Sequence, residues 1–180
     1  MRLLGATLVA ALAATIALPA TASPAFDAFR KVCGDSHADL AAIKTALAGP
    51  GWVSTEILPT NMEGVTPSEG IARTSTVGGE RISVYAWEGL KGQFHLTACT
   101  ARVTHLELGQ ANGEAKSWLG FPPESDANGK TTWRYGMANG AMSAVKQADF
   151  QAATAAGGLY FFNVFADHGE VVLDLLKIKS

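Results

Sequence analysis

The chain has 180 residues, 48% of them hydrophobic, with 14 basic and 16 acidic side chains and a formal net charge of −2. This length suits one domain with a sizeable core. The balance of charge supplies no basic patch of the kind nucleic-acid binding demands, so nucleic acid is dropped as a partner.

Residues 1–22, "MRLLGATLVAALAATIALPATA", set Arg2 before an apolar run from Leu3 to Leu18, then Pro19 and the small residues Ala20, Thr21 and Ala22. That is the order of a secretory signal peptide. The run is shorter than the roughly 20 residues a membrane span needs, and no later segment comes close to that length. The expectation is a leader cleaved after residue 22, a mature chain with no transmembrane segment beginning near Ser23, and one α+β domain over 23–180. Arg2 is the single charged residue of the leader, so the remainder holds 13 basic and 16 acidic residues, a net of −3.

In chain order, Phe26 and Phe29 stand three apart and share one side of a helical turn. A clear helix follows, with Ser36 as its N-cap, Asp39 in a capping-box-like position, and Leu40, Ile43 and Leu47 at helical spacing. Gly49-Pro50-Gly51 ends it, and Trp52 is expected to pack back on it. Residues 54–79 have little periodicity and read as a long irregular connection with one short strand. From Glu80 the period becomes two, with Ile82, Val84 and Ala86 on one face. "WEGLKG" then turns the chain into Phe94, Leu96 and Ala98, a hairpin whose second strand runs on toward "TARVTHLEL".

Leu108, Ala111, Ala115 and Trp118 or Leu119 predict a helix that stops at Gly120, before Pro122-Pro123. "TTWRYGMA" is a strand with "AMSAV" as its hairpin partner across Asn139-Gly140. "GLYFFNVFA" and "EVVLDLLKIK", separated by "DHG", form a further hairpin whose near-continuous hydrophobicity predicts central strands. The fold class is α+β, an antiparallel β-sheet of hairpins with an N-terminal helix and one intervening helix, with about five to seven strands.

Cys33 lies four residues before His37, and His95 four before Cys99. Thiolate and imidazole together are zinc ligands. On a strand, however, the α-carbons of His95 and Cys99 stand roughly 13 Å apart, and zinc signatures use tighter pairs. No metal is therefore assigned. A nucleophilic Cys33 near a helix N-terminus, with His37 as base, lacks a strained turn or oxyanion-hole signature around the cysteine. In an exported chain the favoured reading is a Cys33–Cys99 disulfide tying the N-terminal helix to the sheet.

His105 and His168 fall at a strand end and a hairpin turn. Glu124 and Asp126 are the nearest carboxylate pair, best read as a solvated loop. Trp133, Arg134 and Tyr135 interleave aromatics with a guanidinium and form a candidate ligand-binding platform for a sugar or peptide, weighed against a plain core role for the two rings. No fingerprint of a known catalytic or nucleotide-binding motif is present, so neither a cofactor nor catalytic residues are assigned.

At "FDAFRKVCGDSHADLAAIKTALAGPGW" the chain resembles the N-terminal block of a group of small secreted proteobacterial proteins, in which an aromatic, a cysteine, an alanine-rich helix and a Gly-Trp step follow one another. The resemblance implies an exported bacterial domain and carries no activity or site residue with it. The leading expectation is a non-enzymatic binding or accessory protein of the cell envelope, periplasmic or secreted, whose partner is an envelope protein or a small ligand. The alternative is a small envelope-directed hydrolase whose acid or histidine pair is assembled by the fold.

Overall fold

The computed structural model describes residues 22–56 and 64–180. All of the expected leader but Ala22, together with 57–63 of the expected irregular connection, lies outside these residues. Helix α1 (Pro24–Phe29) begins with proline at its first position and is capped by Ser23, whose Oγ accepts from the Phe26 amide. Phe26 and Phe29 share one side of this helix, as their spacing predicted, and both are buried. The chain then passes without a break into a π turn, Arg30–Gly34, that carries Cys33.

Helix α2 (Leu40–Leu47) starts later than the expected Ser36 cap. Ser36 instead donates to the Cys33 carbonyl at 2.9 Å, closing the π turn. His37 and Ala38 take left-handed backbone angles of 53° and 50°, which breaks the helical path. Asp39 becomes the cap, accepting from the Ala42 amide at 3.0 Å. The Lys177 ammonium donates to the His37 carbonyl at 3.0 Å, so the link between the two helices is held from the last strand.

Among the described residues nine strands form one antiparallel sheet: β1 (Val53–Ser54), β2 (Thr66–Val77), β3 (Glu80–Lys91), β4 (Phe94–Val103), β5 (Ser125–Ala127), β6 (Lys130–Ala138), β7 (Ala141–Ala144), β8 (Leu159–Asp167) and β9 (Glu170–Lys179). The order is β1-β2-β3-β4-β9-β8-β6-β5, with β7 also on the outer side of β6. The C-terminal hairpin is central, as its hydrophobicity predicted. The count exceeds the expected five to seven because β1 and β5, two and three residues long, carry no period to read, and the one short strand expected within 54–79 proves to be the twelve-residue β2. β2 hides its period because Ala72 is its one buried residue. β3 also runs straight through "WEGL", and the turn falls at Gly92, where φ is 60°.

Helix α3 (Leu108–Leu119) ends at a left-handed Gly120, as expected. A fourth helix, α4 (Phe150–Ala155), was not anticipated. α1, the π turn, α2 and α3 cover one sheet face. The core there runs from Ile82, Val84 and Ala86 through Cys99 and Ala101 to Leu173, Leu175, Phe162 and Trp133. Phe29 stacks on Phe162 at 5.4 Å, and Trp118 meets both rings edge-on. Gly34 permits this closeness, since a β-carbon there would lie 2.7 Å from the Trp118 ring.

Candidate ligand-binding face

Alternation along the strands puts the other half of the sheet's side chains on the face away from these helices. Antiparallel sheets commonly make such a face polar. Here Tyr85, Trp87, Phe161, Phe165, Leu176 and Ile178 lie on it half-buried, and α4 covers only one end. Contiguous apolar side chains at a surface are a general feature of binding faces.

A polar row crosses the face through its middle. Thr100 on β4 donates to Asp174 Oδ1 at 2.8 Å, Asn163 on β8 donates to Asp174 Oδ2 at 3.1 Å, and Thr132 on β6 donates to Asn163 Oδ1 at 3.0 Å. These four residues are direct neighbours in the strand register, so one row of side chains stitches four strands together. Each hydrogen-bonding group finds its partner within the row, which leaves the apolar side chains above and below it free for contact.

Toward the strand ends near the β8–β9 turn, Arg102 donates to Asp167 at 2.6 Å and lies 3.6 Å from Glu170. The hydrogen bond with Asp167 raises the Arg102 pKa, and the same bond holds the Asp167 carboxyl below its ordinary value. Toward the opposite end, α4 stands over the sheet. Phe150 meets Phe161 edge-on at 5.9 Å, and the Arg134 guanidinium lies 4.2 Å above the Phe150 ring. Between α4 and the β3–β4 hairpin opens a groove of about 470 Å³, walled by Phe94, Leu96, Leu159, Phe161 and Ile178 from the sheet and Phe150 from the helix. Lys91, Gln93, Gln151 and Ser180 supply polar groups to its lining.

Arg134 closes the far side of α4. It is 5% exposed and pairs with Glu124, whose Oε2 accepts from Nε at 2.7 Å. Its Nη1 is buried without a partner, and burial lowers its pKa from the ordinary arginine value. The pair has a backbone origin. β5 and β7 both line the outer edge of β6 and diverge around Arg134, where the Glu124 amide bonds Thr132 and the Val145 amide bonds Arg134 itself. Glu124 is therefore the partner of a buried cation, a different role from the solvated loop expected of it.

The three residues singled out on β6 divide between the two faces. Trp133 and Tyr135 point into the core, 1% and 2% exposed. The Trp133 indole donates to the Phe121 carbonyl at 3.2 Å, and Tyr135 stacks on Tyr160 at 4.9 Å. Arg134 alone belongs to the face that carries the groove. Cys33 and Cys99 form a disulfide with α-carbons 5.7 Å apart. His37, His105 and His168 occupy turns with positive φ, and His95 is exposed near the start of β4. Among the described residues no cluster of three His, Cys, Asp or Glu side chains could hold a metal ion.

The groove residues were missed because they come from two separate hairpins and a helix, and α4 was missed because its six residues hold one large apolar side chain. The signal available was "DFQAATAAGG", a helix-favouring stretch closed by two glycines. Compared with models of known protein families, with curated proteins and with solved structures, the chain matches none. What the fold defines is an α+β protein with one packed sheet face and one largely open apolar face.

Proposed function

We propose that the protein is an exported, non-enzymatic binding or accessory protein of the cell envelope, periplasmic or secreted, and that it holds a small apolar ligand on the uncovered sheet face beside α4. The observation that carries this reading is the groove itself. Its volume lies in the range of small-molecule sites, and its walls are aromatic and aliphatic with a few polar groups to orient a ligand. The disulfide supports export, since such bonds persist in oxidising compartments. Among the described residues no helix is long and apolar enough to cross a membrane.

The test is to incubate the protein with an organic extract of bacterial envelopes, re-isolate it by gel filtration and identify retained molecules by mass spectrometry. The wild type retains an apolar species, and Phe161→Asp, which sets a charge in the groove wall, loses it. Equal retention by both overturns the groove as the site. Retention of a protein in place of a small molecule would shift the reading to an envelope protein partner. Cleaved products accumulating with time would shift it to the hydrolase alternative.

A further inference from the structure

Every polar group of Ser23 is engaged, and two carboxylates converge on it. Its amide donates to Glu114 Oε1 on α3 at 2.8 Å, and its hydroxyl donates to Glu80 Oε2 on β3 at 2.7 Å. The Ala25 amide donates to the same Glu80 oxygen at 3.0 Å. Ser23 is 2% exposed, while Ala22, one residue earlier, lies at the surface. The next residue, Pro24, is packed so closely on the β2–β3 turn that a β-carbon at Gly78 would fall 2.4 Å from its ring.

The charges around Ser23 do not balance. Neither Glu80 nor Glu114 has an ion-pair partner among the described residues. Glu114 Oε2 is buried and accepts no hydrogen bond, although Oε1 accepts two, from Ser23 and from Gln110. A peptide amide offers one proton, and that proton is already spent on Oε1. An ammonium group at the same nitrogen offers three and a positive charge. It would satisfy the orphaned oxygen and neutralise a carboxylate in a single change.

We propose that Glu114 and Glu80 form a cradle for the α-ammonium created when the chain is cut between Ala22 and Ser23, so that loss of the leader locks α1 onto α3 and β3. The proposal rests on the export reading above, takes the cleavage position expected from the sequence and adds the fate of the new terminus. In the cut, water is split across the Ala22–Ser23 bond. Its hydroxyl goes to the Ala22 carbonyl carbon and a proton to the Ser23 nitrogen, which takes a second proton from solvent to become the ammonium. The co-reactants are water and an envelope endopeptidase. Ser23 is enclosed in the folded protein, so cutting comes first and docking follows as the chain folds.

Two measurements test this. Mass spectrometry of the protein exported by a bacterial host from the full-length chain gives the mature terminus, expected at Ser23. Another exported terminus overturns the cleavage position while export stands, and a chain that stays in the cytoplasm with residues 1–22 intact overturns the export reading with it. Separately, thermal melts compare chains beginning at Ser23 and at Ala22, which differ in whether the Ser23 nitrogen is an ammonium or an amide. The Ser23 chain should melt higher by about 4 °C or more. In Glu114→Gln the gap should close, because Gln lacks the charge while keeping an oxygen for the amide. Equal melting of the two chains, or a gap that survives Glu114→Gln, overturns the cradle whatever the terminus proves to be.

Discussion

Cys33 in the π turn and Cys99 at the centre of β4 are covalently joined across 66 residues, with their α-carbons 5.7 Å apart. The bond pins the first helical segment to the strand that borders the central hairpin, and both cysteines are fully enclosed. In the chain-entropy model, closing a loop of this length stabilises the fold by about 4 kcal/mol. Replacing both cysteines by alanine should therefore bring a large fall in the urea midpoint. Wild type and variant unfolding at the same midpoint would show that the helices hold the sheet unaided.

Arg134 gives a second test, because its charge is buried and its partner is 43% exposed. Glu124→Gln leaves the guanidinium without its carboxylate and should cost about 1–2 kcal/mol, less than a fully buried pair because water reaches the glutamate side. Arg134→Met removes the charge while keeping a side chain over Phe150, and it should cost less than Glu124→Gln. The double variant should be no less stable than Arg134→Met alone. Additive losses in denaturant unfolding would mean that the two residues act independently.

Asp174 holds the polar row together by accepting from Thr100 and Asn163. Asp174→Ala strands both donors and should cost about 2–3 kcal/mol, while Thr100→Val, which removes one donor, should cost about 1 kcal/mol. Chemical denaturation measures both. Losses of equal size would place the value of the row outside Asp174.

Alkaline stability is tied to Tyr135. Burial, with a smaller contribution from Tyr160, pushes its phenol pKa above the ordinary tyrosine range. The native state keeps this proton while the unfolded chain releases it above about pH 10. The contribution is therefore fully present below that pH and is lost as pH rises through the folded pKa. Tyr135→Phe should unfold at a higher pH than the wild type when melts are followed from about pH 9 to 12. Coincident alkaline transitions would move the pH sensitivity to other groups.

Much of the fold was legible from one-dimensional pattern, because the period of apolar residues reports which side of a strand or helix is buried. The Glu80–Val103 hairpin, the helix ending at Gly120, the Asn139-Gly140 turn and the central C-terminal hairpin all follow from local spacing and turn chemistry. The disulfide was legible too, since two cysteines beside a leader-like segment leave few other uses for them. What local pattern could not show is the length of a strand whose burial does not alternate, such as β2, or a helix as short as α4. It also misjudged Ser36, because the choice between Ser36 and Asp39 as cap depends on the left-handed turn at His37 and Ala38, which Lys177 holds from 140 residues away. The candidate site was decided wholly by tertiary structure. The groove and the Ser23 cradle each join side chains from distant segments, and no local preference of the chain encodes which of its hairpins will lie side by side.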